Sequence, residues 1–198
     1  TVKAIMNNTA DSLETVSLLW KDRPDDHSVC LRSRAALHPD RIPFPTYDGF
    51  DVEAYTEKDL LPVVLSRGCS NACHFCCDWR LKKPYRGRNP RTVADEISFL
   101  MKKYGRSRFE FSDLLINGDL RRLEELCDLL LERNSDIHWG GQAAVRKDMS
   151  TRLFRKLKKA GCGSLTFGFE TFSDPLLKKM NKRFTSRDAG RIIKRAKK

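Results

Sequence analysis

The stretch Leu61-Pro-Val-Val-Leu65-Ser-Arg-Gly68-Cys69-Ser-Asn-Ala-Cys73-His-Phe-Cys76 decides the fold. An apolar run of strand length feeds directly into a loop carrying three cysteines, separated by three residues and then by two. Thiolates so close in sequence cannot all leave one face of a regular helix or strand, but a loop leaving a strand can turn them towards one soft metal centre. Two kinds of centre use these residues. An iron–sulfur cluster normally takes four cysteines, so a compact set of three points to a cubane with one iron left open to a small molecule. A tetrahedral zinc site completed by Cys77 or His74 is the other, although adjacent Cys76 and Cys77 side chains tend to point apart. A disulfide framework fits poorly, because the seven cysteines (30, 69, 73, 76, 77, 127 and 162) are odd in number. Cys127 and Cys162 fall where buried thiols are expected, and the usage is that of a reducing compartment, the cytoplasm.

Beyond the cysteine loop the hydrophobic pattern alternates between strand and helix. Leu61–Ser66 reads as a buried strand; Asn89-Pro90 then opens a helix bearing Val93, Ile97, Leu100 and Tyr104, which Gly105 closes. A second unit runs from Phe109-Glu-Phe-Ser into a helix from about Asp119, with Leu120, Leu123, Cys127 and Leu130 on one stripe. A third joins Ile137-His-Trp-Gly to a helix from Ser150, stopped by Gly161. In the fourth, Ser164–Phe169 is followed by helical pieces from Ser173 and Ser186. Four strand–helix units predict an α/β fold with a parallel sheet, part of a (β/α) barrel.

In such a fold the chemistry gathers where strands run into helices. Polar residues stand at all four places: the cysteine loop, then Asp113 and Asn117, then Gln142 and Arg146, and finally Glu170. Asp113 or Asp119 can equally cap a helix, and Glu170 can pair with a lysine.

The cysteine spacing, with Phe75 before the last cysteine and Arg67-Gly68 ahead of the first, resembles the radical S-adenosylmethionine (SAM) superfamily. Gly168-Phe-Glu170-Thr and Asp174-Pro-Leu-Leu-Lys-Lys-Met-Asn-Lys182 resemble that family's fourth strand end and the stretch following it. The resemblance implies that Cys69, Cys73 and Cys76 hold a [4Fe–4S] cluster whose open iron is chelated by SAM, which one electron cleaves to methionine and a 5′-deoxyadenosyl radical. It implies that Phe75 lies by the adenine, that Glu170 faces SAM, and that Arg146 pairs with the SAM carboxylate. Asp113 and Gln142, at neighbouring strand ends, are expected with them as cofactor contacts, although the family's Gly-Gly-Glu form is not found at the second strand. No residue beyond the cluster ligands is assigned to catalysis.

Radical SAM cores are usually six-unit partial barrels, so the four units seen here suggest a fragment with an open sheet edge. Ahead of them, Ile42-Pro-Phe-Pro…Tyr47-Asp-Gly-Phe-Asp51 resembles the connector of cobalamin-binding radical SAM proteins. Cobalamin itself would then be held by a domain outside this chain, since its histidine motif is absent. The expected organisation is an irregular appendage and Pro-rich connector over 1–60 and a radical SAM core over 61–198. Within the appendage, Asp11–Trp20 has the apolar spacing of a short amphipathic helix, and Val29–Arg32 reads as a strand.

The implied enzyme methylates or rearranges an unactivated carbon of an organic substrate, a tetrapyrrole, lipid or antibiotic precursor, with flavodoxin or ferredoxin as electron donor. The alternatives are a tRNA methylthiotransferase-like enzyme and a zinc- or cluster-bearing module without catalysis. Charge bears on the first alternative: residues 1–60 carry 7 Lys/Arg against 11 Asp/Glu, whereas 61–198 carry 31 against 15. The basic half favours anionic partners. Nucleic acid is the less favoured of them, because no compact basic run interleaved with aromatics marks a strand-binding groove. No apolar run approaches the length of a membrane span.

Overall fold

The structure, a computed structural model, describes residues 17–20, 30–33, 38–57, 59–81 and 84–197. Two compact units divide the chain, Thr1–Ile42 and Pro43–Lys198. In the first, β1 (Ser17–Trp20) pairs antiparallel with β2 (Cys30–Ser33). The helix expected over Asp11–Trp20 is therefore a strand in its last four residues, and the rest of that segment lies outside the described residues. Periodicity does not separate the two readings in so short an apolar run, and Leu18, Leu19 and Trp20 suit a strand as well as a helix.

The second unit opens with the connector and continues through β3 (Leu60–Val63), β4 (Ser66–Arg67), α1 (Asp78–Leu81), β5 (Arg86–Gly87) and α2 (Pro90–Tyr104). There follow β6 (Arg108–Phe111), α3 (Leu120–Glu132), β7 (His138–Ala143), α4 (Thr151–Lys159), β8 (Cys162–Phe167), α5 (Asp174–Lys179) and α6 (Ser186–Ala196). β3, β6, β7 and β8 form one parallel sheet in sequence order. This is the expected α/β partial barrel of four units.

Local chemistry places the helices. Asn89 Oδ1 accepts from Arg91 N at 3.0 Å ahead of Pro90, and Gly105 at φ 63° ends α2. Asp119 and Ser150 cap α3 and α4 in the same way. One face of the sheet presents Val63, Phe109, Phe111 and Trp139 to Val93 and Ile97 of α2, Leu123 and Cys127 of α3, and Leu153 and Leu157 of α4, all of them buried. Under the sheet's first connection, Arg88 and Glu96 form a buried ion pair at 2.5 Å, and Arg88 also donates to Val64 O at 2.9 Å.

The boundary between the two compact units falls between Ile42 and Pro43, and the connector, in the second unit, is bound to the end of α2. Tyr47 N donates to Tyr104 Oη at 2.7 Å, Lys103 pairs with Asp48 at 2.5 Å, and Arg106 reaches both Glu53 and Asp59. Phe44 packs on Phe99 with ring centres 5.8 Å apart. Polar and aromatic contacts thus dock the Pro-rich connector.

Candidate active site

The cysteine loop leaves the sheet through the two-residue strand β4, which pairs antiparallel with β5 and so pins the loop's two ends together. Asp113, at the end of β6, secures this base: its buried carboxylate accepts from Leu65 N at 2.9 Å and Ser66 Oγ at 2.5 Å. Burial pushes the Asp113 carboxyl up to about 6, against the pull of these hydrogen bonds.

The tip of the loop is tied to the segment after α5. His74 N donates to Met180 O at 3.0 Å, His74 Nδ1 donates to Lys179 O at 2.9 Å, and Asn181 Nδ2 donates to Ala72 O at 2.7 Å. Trp79 Nε1 donates to Cys73 O at 2.9 Å from the other side. So held, Cys69, Cys73 and Cys76 line one cavity of about 250 Å³ at the C-terminal ends of the parallel strands, while Cys77 is exposed.

Among the described residues no three His, Cys, Asp or Glu side chains converge on a point where a single ion could sit. Three loop thiols lining one cavity supply the donors of a three-thiolate metal site. Burial raises the pKa of the Cys69 and Cys73 thiols, the neighbouring cysteines add to it, and Lys182 opposes it. A bound metal centre reverses that preference by taking the thiolate form.

Across the cavity stands a pair that sequence reasoning only half anticipated. Glu170, at φ 61°, turns its Oε1 to within 3.0 Å of Lys182 Nζ, which also donates to Gly168 O at 2.9 Å. The Lys182 ammonium lies 5.2 Å from the centre of the Phe75 ring, and its side chain is only 11% exposed. Gly168 leaves room for the pair, since a Cβ there would come within 2.9 Å of Glu170 Oε1. Lys182 was legible only as part of the resembling stretch after the fourth strand, not as a site residue.

Of the residues expected here, the cavity brings together Cys69, Cys73, Cys76, Phe75, Gln142 and Glu170. It does not bring in Asp113, whose carboxylate serves the loop base, or Arg146. The Arg146 guanidinium is spent on Asp148, at 3.0 and 2.6 Å, and on the carbonyls of Asn117 and Gly118, at 3.0 and 2.8 Å. Asn117 likewise faces the backbone, bonding Ala144 through both ends of its amide.

A parallel α/β sheet whose strand ends present three loop thiols beside a Glu–Lys pair defines a cluster-binding (β/α) enzyme core. Residues 63–198 match the model of the radical SAM superfamily, and the chain belongs to that superfamily. It is 29% identical over 163 residues to an uncharacterized methyltransferase of Pyrococcus horikoshii, covering 80% of this chain and 35% of that one. It is 30% identical over 129 residues to the anaerobic magnesium-protoporphyrin IX monomethyl ester cyclase of Rubrivivax gelatinosus, covering 65% of this chain and 23% of the cyclase. The chain thus spans about a quarter to a third of these relatives' length. The cobalamin-dependent SAM radical enzyme OxsB, solved with aqua-cobalamin and SAM bound, superimposes with a TM-score of 0.75 at 19% identity, covering 99% of this chain and 30% of OxsB. That likeness speaks for the fold. Among the described residues no helix is long and apolar enough to cross a membrane.

Proposed function

We propose that the chain is the core of a cobalamin-type radical SAM enzyme, with Cys69, Cys73 and Cys76 as the ligands of a [4Fe–4S] cluster. The observation that carries this is the meeting of the three thiols with the Glu170–Lys182 pair in one cavity at the strand ends. Once bound there, the cluster supplies the electron that cleaves SAM to methionine and a 5′-deoxyadenosyl radical. The chain's own residues orient the cofactor. Lys182 and Glu170 offer one charge of each sign to the amino-acid end of SAM, whose carboxylate and ammonium need both. Phe75, 56% exposed, offers a flat apolar face to the adenine. Gln142 adds a polar contact from β7.

The core begins at about residue 61. The methyltransferase and cyclase relatives support methyl transfer or ring closure on an organic small molecule, and OxsB supports cobalamin, held outside the segment described here. An acidic cytoplasmic one-electron carrier such as flavodoxin or ferredoxin suits the basic half of the chain.

Anaerobic reconstitution with iron and sulfide, followed by electron paramagnetic resonance of the reduced protein with and without SAM, tests the proposal. A cluster signal that changes on adding SAM is expected. Zinc at full occupancy in anaerobic preparations, or a cluster signal indifferent to SAM, contradicts it.

A further inference from the structure

The strand register places a second, unassigned group on the inner face of the sheet. Pro62, Glu110, Gly140 and Ser164 stand at one level across β3, β6, β7 and β8. Residues paired laterally point to the same face, opposite to buried Phe109, Phe111 and Trp139, which meet the helices. The next level on this face, towards the strand ends, holds Gln142 and Thr166, and both line the cysteine cavity. Glu110 therefore lies one level below the cavity, about 7 Å along the strands.

This level is built unlike a barrel core. Barrel interiors are ordinarily filled by bulky branched side chains, and parallel sheets are ordinarily apolar on both faces. Here the level contains a proline, a carboxylate, a glycine and a hydroxyl. Glu110 Oε2 and Ser164 Oγ lie over buried Gly140, 2.9 and 2.6 Å from where a Cβ would stand, so the missing side chain is what lets the two oxygens approach each other across the sheet. Among the described residues Glu110 forms no ion pair: Arg108, the next residue on this face, is turned to Glu57 at 3.4 Å, and His138 stands at the level of Arg108. Among the described residues this carboxylate is thus held without a cation beside a hydroxyl, one level below the cysteine cavity.

We infer that Glu110, with Ser164, is a substrate-recognition site for a protonated amine, anchoring the cationic end of a small organic substrate whose reacting carbon points up into the cysteine cavity. The inference rests on the proposed function for the identity of that cavity. Charge complementarity selects the ligand class. On a chain of net charge +12, a cation gains little from the general field, so affinity for one must come from a local carboxylate.

The probe is benzylamine, titrated into the anaerobic, reconstituted protein by ligand-detected nuclear magnetic resonance, with benzyl alcohol and benzoate as the neutral and anionic counterparts. Benzylamine should bind best, and Glu110→Gln should weaken it by about tenfold or more while leaving benzyl alcohol unchanged. Gly140→Ala, whose methyl would push the two oxygens apart, should weaken both the amine and the alcohol. Neither variant should alter the cluster spectrum or its response to SAM, so a defective cluster site and a wrong assignment of Glu110 give different results. Equal benzylamine affinity in Glu110→Gln and the unsubstituted protein overturns the inference, as does benzoate binding as well as benzylamine, or no benzylamine binding at all.

Discussion

Lys182 Nζ sits 3.0 Å from Glu170 Oε1, and this contact helps join the end of β8 to the segment that carries the tip of the cysteine loop. Because Lys182 also covers the Phe75 ring and donates to Gly168 O, its ammonium is fixed rather than free in solvent. A charge held in place at the mouth of a cavity is suited to receive a carboxylate without first being ordered.

Lys182→Ala should therefore weaken SAM binding by about tenfold to a hundredfold, the worth of a charge-assisted contact of about 1.5–3 kcal/mol. Lys182→Arg should recover most of it. Equilibrium dialysis of SAM against the reconstituted variants measures this, and an unchanged affinity in Lys182→Ala assigns the lysine a purely structural part.

Asn181 ties the loop tip through Ala72 O from a left-handed backbone, φ 59°. Asn181→Gly keeps that backbone accessible while removing the amide bond. In the cluster-free protein Cys73 should then react faster with a thiol-alkylating reagent, and iron uptake on reconstitution should fall. Unaltered Cys73 reactivity means that the two His74 bonds hold the loop by themselves.

Asp113 makes stability depend on pH in a direction opposite to that of most carboxylates. Its folded pKa, about 6, lies above the ordinary 3.8, so between these values the folded chain retains a proton that the unfolded chain releases. The contribution is fully present below about pH 4 and is lost as pH rises through 6, to a total of at most about 3 kcal/mol. Urea unfolding of the cluster-free protein at pH 5 and 7 should show about half of this loss, roughly 1.4 kcal/mol, and Asp113→Asn should not. Parallel behaviour of the two proteins would place the proton elsewhere.

Much of this architecture was legible in the sequence because it is local. The four strand–helix units, the Asn89-Pro90 start and the Gly105 stop follow from periodicity and caps within ten to fifteen residues, and the cysteine spacing stands in one loop. What escaped depends on long-range partners. β4 and β5 are two residues each, too short for a pattern, and acquire their conformation from one another across the loop. Asp113 and Arg146 occupy strand ends, where polar residues signal a site, yet their side chains turn to Ser66 and to Asp148. Lys182 reaches Glu170 across twelve residues through the left-handed turn at Asn181, a geometry that no spacing rule expresses.

Three cysteines, and not the fourth beside them, should hold the cluster. Alanine should be placed singly at Cys69, Cys73, Cys76 and Cys77, and iron and sulfide counted after anaerobic reconstitution alongside the visible absorption. Each of the first three substitutions should abolish the brown chromophore, while Cys77→Ala should retain it with a full complement of iron. Bleaching by Cys77→Ala, or a full cluster in any of the other three, would contradict it.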